Sequence, residues 1–163
     1  MAVAVDALSD AEWFVLNAAV HEAGHLVACI AQGLPVVFAR VERYGTSANA
    51  VRGLVRVDDA FLDSDPLGAV VVGVAGVAAE VAWLCRENSM GRSAARRYVG
   101  GAGCEADLRL VRKYLPRAGV GESVARELAE RVVRERWGAV LRLGEALAAR
   151  GWLDGGRVAA LVR

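Results

Sequence analysis

From Pro66 to Cys85 the chain carries a single charged side chain, Glu80. No other stretch constrains the fold so strongly. A helix that is apolar nearly all round has no face to offer water, so a helix from about Pro66 to Glu87 must lie at the centre of the core. Asp65 followed by Pro66 supplies its start: an N-cap, then a proline at the first helical position, where its missing N–H costs nothing. The uninterrupted apolar part, Pro66 to Ala79, is 14 residues. A bilayer-spanning helix needs about 20, and here a carboxylate follows directly. A buried helix and no membrane partner are therefore expected. Glu80 is then a buried carboxylate with no cation beside it in sequence, which is costly unless it is paired or ligating.

The remaining elements follow from local signals. Ser9-Asp10-Ala11-Glu12 has the form of a capping box, which places a helix start near Asp10. That helix should run to about Gln32, where Gly33 and Pro35 stop it. Val36 to Tyr44 and Val51 to Val57 read as two strands of a hairpin across the turn-like Gly45 to Asn49. Asn88 to Gly103, rich in glycine and arginine, reads as a mobile loop. A short helix is expected from about Cys104 to Leu115, ended by Pro116. A long amphipathic helix should follow from Glu122 to Arg150, closed by Gly151, and Asp154 should cap a last short helix. No repeat, low-complexity tract or linker interrupts the 163 residues. The expectation is one domain, mostly α with a small β-sheet (α+β).

Charge and cysteine content narrow the functional classes. The 20 basic and 19 acidic residues leave a net charge of +1, without the basic excess of a general nucleic-acid binder. Cys29, Cys85 and Cys104 are odd in number and lack a CxxC spacing, so they read as reduced thiols in a cytoplasmic protein. Met1 to Asp10 has no basic segment ahead of an apolar stretch, which predicts no secretory signal.

The chemistry concentrates in His21-Glu22-Ala23-Gly24-His25. Residues four apart on a helix share a face, so the imidazoles of His21 and His25 can converge on one metal ion. Glu22, offset around the helix, can reach a water activated by that metal without ligating it. This is the HExxH pattern of a zinc hydrolase, with two histidine ligands and a glutamate general base. A histidine on an apolar face is ordinarily only packed there, but this chain has two histidines and both fall in this pentapeptide. Ala23 and Gly24 are small, as a close approach of sheet or substrate would require. A catalytic zinc needs a third protein ligand. Glu80 is one candidate. Asp107 is another, in the first turn of a helix where the dipole favours a carboxylate. Cys104 is a weaker one, since thiolates are more typical of closed structural sites.

Beyond this point the sequence resembles a known family, the M41 peptidases, the proteolytic domain of FtsH-type ATP-dependent membrane proteases. His-Glu-Ala-Gly-His is the form that family uses. Gly76-Val77-Ala78-Ala79-Glu80 is similar to its Gly-Arg-Ala-Ala-Glu, and Gly103-Cys104-Glu105-Ala106-Asp107-Leu108 to its Gly-Ala-x-Asn-Asp-Leu. Leu143 to Val158 is similar to its terminal segment. The likeness runs from about Asn17 with three motifs in order. It implies a zincin-like FtsH peptidase-domain architecture, one Zn2+ per chain held by His21, His25 and Asp107, and Glu22 as the catalytic base. Glu80 then supports the ligands from behind or structures the core. Val77 and Ala106 depart from the family's arginine and asparagine, and its Met-Ser stretch after the aspartate is missing.

The family's ATPase motif, Gly-x-x-x-x-Gly-Lys-Ser/Thr, is also missing, and the sole lysine, Lys113, lies in no phosphate-binding loop. The expected activity is thus ATP-independent hydrolysis of a flexible peptide or protein segment, alone or beside a separate protein partner. An extended substrate is expected along the Val51–Val57 edge, with Arg92, Arg96 and Arg97 bordering the cleft. The competing reading is a non-catalytic zincin-fold domain that binds a protein partner. A third is a processing protease specific for one protein, towards which the lack of any unfolding motor inclines. Oligomeric state is left open.

Overall fold

A computed structural model describes residues 8–100 and 105–163. The chain is mostly helical with one small antiparallel sheet. In order, the elements are α1 (Asp10–Ala31), β1 (Val36–Arg43), β2 (Val51–Val57), α2 (Asp59–Ser64), α3 (Pro66–Arg86), α4 (Arg92–Gly100), α5 (Glu105–Tyr114), α6 (Glu122–Glu135), α7 (Trp137–Arg150), β3 (Trp152–Asp154) and α8 (Gly155–Val162), with a 3-10 turn at Leu115–Arg117.

The two long helices start as their sequences dictate. The Ser9 hydroxyl accepts from the Glu12 amide while the Glu12 carboxylate accepts from the Ser9 amide at 2.9 Å, a reciprocal cap that stabilises α1 by about 1 kcal/mol. Asp65 accepts from the Gly68 amide at 2.9 Å, with Pro66 opening α3. The two helices pack against each other as the central pair. α3 is buried on every side from Gly68 to Gly76, as its composition requires, but α1 is equally enclosed from Ala19 to Cys29. By length and composition both could cross a bilayer, α1 included. Yet 67% and 78% of their most apolar windows lie inside the protein.

α7 and the sheet cover α1, while α5 and α6 cover α3. The sheet order is β2-β1-β3. β1 and β2 form the expected hairpin, from Val36 opposite Val57 to Arg43 opposite Val51. β3 is an addition: three residues near the C-terminus place Leu153 opposite Ala39, with Leu153 buried. A strand this short shows no legible alternation. It leaves β2 as one edge of the sheet.

Two expectations are corrected, and one element is added. The arginine-rich stretch is not a loop throughout, because Arg92–Gly100 forms α4. Ala95 and Val99, four apart, enter the core, the Tyr98 ring meets Trp13 edge-on at 6.0 Å, and Arg96 pairs with Glu130 at 3.1 Å. The helix expected over Glu122–Arg150 is two helices broken at Arg136, whose backbone leaves helical geometry (φ −110°, ψ 23°). The buried positions of α6 (Ala125, Ala129, Val133) and α7 (Ala139, Val140, Leu143, Gly144, Leu147) fall on one broad face at about 100° per residue, so periodicity does not mark the break. It arises because α6 packs on α3 and α7 on α1. Finally, Asp58 caps an extra short helix, α2, ahead of Asp65. The start of the expected Cys104–Leu115 helix lies partly outside the described residues, and α5 covers the rest.

Candidate metal centre

Asn17, His21 and His25 recur every four residues and form one row along α1. Val72, Gly76 and Glu80 form the matching row on α3, and the two rows face each other in opposite directions. Asn17 meets Glu80 at one end, His25 meets Val72 at the other, and His21 lies between, over Gly76. Gly24 sits alongside, where a side chain would strike the Ala75 carbonyl and Ala79. The smallness of Gly24 therefore admits α3, not the sheet or a substrate. Gly76 matters in the same way: a Cβ there would overlap Nε2 of both histidines. Gly76→Ala is expected to cost about 1–3 kcal/mol as overpacking and to prevent metal uptake. Thermal unfolding and a zinc titration check this, and wild-type behaviour in both would refute it.

Each imidazole is held from both sides. His25 Nδ1 donates to the Val72 carbonyl at 2.7 Å, and His21 Nδ1 donates to Glu80 Oε2 at 2.9 Å. The Nε2 atoms face Asp107, whose two oxygens lie 3.0 Å from His21 and 3.3 Å from His25. Asp107 sits in the first turn of α5. A neutral imidazole has one N–H, yet both nitrogens of each ring point at acceptors. Either the rings are protonated or a cation stands between the Nε2 atoms and the carboxylate. Two neutral nitrogens and one carboxylate oxygen are also the donor types a zinc ion prefers. The residues fit such an ion.

Glu22 lies beside this group, with its donor atom and those of the two histidines within 4.8 Å of one another. Its carboxylate packs against Gly53 of β2, where a Cβ would collide with it. Burial pushes the Glu22 carboxyl above its usual range, and the two histidines offset this only in part. For His25, burial disfavours the charged ring, but the Asp107 carboxylate outweighs it and the net shift is upward. For Asp107, burial acts to raise the carboxyl, and the two histidines overcome it and hold the group far below the usual carboxylate range.

These shifts set a sign for the chelator-treated protein. The stability contributed by charged His25 is fully present below its ordinary 6.5 and lost as pH rises through its raised value. Burial of Glu22 adds a loss in the same direction, beginning above 4.5. The Asp107 contribution is present above 3.8 and disappears only as pH falls towards its lowered value. The melting temperature without metal is thus expected to fall as pH rises above 6.5. A flat or rising profile in thermal scans would contradict this.

The other residues singled out from the sequence lie elsewhere. Arg92 and Arg96 line a groove of about 660 Å3 between α3, α4 and α6, together with Val77, Val81 and Cys85. Neither histidine, nor Glu22, nor Asp107 lines it, so these arginines do not border the motif. Arg97 is exposed on α4. Cys104 lies outside the described residues. Asn17 and the Val72 carbonyl went unnoticed in the sequence, although the four-residue spacing of 17, 21 and 25 could have revealed the first. No protein-family model matches the chain, and a search of curated proteins finds no match.

Proposed function

We propose that this protein is a zinc-dependent peptidase with an FtsH-like, zincin-type architecture, hydrolysing peptide bonds without ATP. The observation that carries the reading is the convergence of His21 Nε2, His25 Nε2 and the Asp107 carboxylate, with each Nδ1 engaged from behind. His21, His25 and Asp107 would hold the ion. Zinc bound there supplies a Lewis acid and brings the pKa of water down towards about 7.

The chain's own groups do the rest. Glu80 and the Val72 carbonyl keep the two rings oriented, each with Nδ1 engaged behind and Nε2 facing Asp107, where the ion would be held. Glu22, buried and raised in pKa, is suited to take a proton from the attacking water and return it to the leaving amine. Gly53 lets β2 pass directly over that carboxylate. Among the described residues β2 has a neighbour on one side only, so a flexible peptide segment can add to its other edge as a further strand, beside the base.

Cys29 and Cys85 are free thiols, and burial raises Cys29 to about 12. That chemistry suits a reducing, cytoplasmic setting. In the competing reading, a partner-binding domain with zinc in a structural role, a base at Glu22 has no use.

The protein purified without chelator is expected to carry about one zinc per chain, as one site with three protein ligands requires. It is also expected to cleave an unfolded protein such as reduced casein, and to stop when the metal is removed. Protein that takes up no added zinc sinks the reading. Zinc bound tightly with no cleavage of any unfolded substrate supports the partner-binding domain instead.

A further inference from the structure

Asn17 is buried, and its amide is only half satisfied. Nδ2 donates to Glu80 Oε1 at 2.7 Å, whereas Oδ1 meets no donor among the described residues. The orientation of the amide is fixed by chemistry, because a carboxylate oxygen accepts and its neighbour must therefore be the NH2 end. A leucine of similar size would fill the same space on α1 without stranding an oxygen. A buried polar atom left unpaired calls for a reason.

The reason lies one residue further along the contact. Glu80 has two oxygens, and among the described residues each meets a donor: Asn17 Nδ2 on Oε1 and His21 Nδ1 on Oε2, at 2.7 and 2.9 Å. Asn17 and His21 are one turn apart on the same helix, so the three side chains close a loop between α1 and α3. Glutamate has three rotatable bonds and would not hold one carboxylate plane by itself. With one oxygen pinned by Asn17, the other is kept on His21 Nδ1. That N–H then stays on the side facing α3, and the Nε2 lone pair stays directed at Asp107.

We propose that Asn17 is a positioning residue for the metal site, acting through Glu80 to fix the ring orientation and tautomer of His21. This rests on the reading of His21, His25 and Asp107 as zinc ligands. Residues that orient a ligand in this way alter metal affinity by about 10- to 100-fold when removed. Asn17 stands one step further back, so about tenfold is expected.

The test measures zinc affinity by competition with a chromogenic chelator, together with the absorption spectrum of the cobalt-substituted protein and the melting temperature of the chelator-treated protein. Asn17→Leu is expected to weaken zinc binding about tenfold and to shift the cobalt bands, while the metal-free melting temperature holds or rises. Asn17→Asp, which sets a carboxylate against Glu80, should weaken binding at least as much. The double variant Asn17→Asp, Glu80→Gln exchanges amide and carboxylate and restores both hydrogen bonds, so it should recover most of the lost affinity. This comparison stands even if Asn17→Leu fails to fold. Unchanged zinc affinity and cobalt bands in the single variants overturn the proposal, as does a double variant no better than Asn17→Asp alone. Wild-type protein that binds neither zinc nor cobalt overturns the underlying reading of the site instead.

Discussion

Glu22→Gln is expected to retain zinc at wild-type affinity and to lose cleavage by about 100- to 10,000-fold, the range spanned by a positioned general base. The substitution preserves size and removes only basicity. Glu22 is buried against Gly53 with almost no spare room, and glutamine fits the same volume. The variant should also gain stability above about pH 4.5, because it no longer buries a carboxylate whose pKa burial has raised. Two measurements decide: zinc content of the purified variant and its rate on an unfolded substrate. Cleavage at the wild-type rate would show that Glu22 is not the base. Loss of zinc together with activity would instead place Glu22 among the ligands.

Asp107→Ala is the second large effect. It removes a carboxylate whose oxygens reach both Nε2 atoms, at 3.0 and 3.3 Å. Zinc affinity should fall by more than the roughly 10- to 100-fold that follows loss of a group supporting a ligand. Glu80→Ala should fall inside that range, because Glu80 touches His21 on the far nitrogen, Nδ1. The order of the two variants in one chelator competition series carries the assignment. If Glu80→Ala loses more affinity than Asp107→Ala, their roles are exchanged. The metal-free form of Asp107→Ala should also show a shallower loss of stability with rising pH, because the part of that loss due to a raised His25 disappears. Without Asp107 only Glu22 opposes the burial of His25, so its charged form is abandoned at lower pH.

Much of this molecule is written in short-range signals. The hairpin over Val36–Val57 depends on two adjacent segments joined by one turn. The capping box at Ser9, the Asp65-Pro66 start and the Asp154 cap all depend on groups within a few positions of one another. So does the placing of His21 and His25 on one helical face. Propensity, dipole and capping act within a turn, and a sequence displays them directly. The same reasoning failed where local composition and tertiary packing disagree. Glycine and arginine around Arg92 suggest a loop, yet burial of Ala95 and Val99 makes a helix. An unbroken apolar stripe suggests one helix over Glu122–Arg150, yet two different central helices claim its halves.

The surroundings of the motif belong wholly to tertiary structure. From the residues alone, Glu80, Asp107 and Cys104 were all open as a third ligand, and a family resemblance was needed to choose among them. Folding brings Asp107 onto both Nε2 atoms, Glu80 and the Val72 carbonyl behind the rings, and Asn17 behind Glu80. Those partners of the histidines lie 47 to 86 positions away along the chain. No periodicity reaches that far. The pentapeptide determined by itself that two imidazoles share a face. Which oxygens stand behind them was decided by the packing of α1 on α3, close enough only because Gly24 and Gly76 carry no side chains, and which stand before them by the packing of α5 on α3.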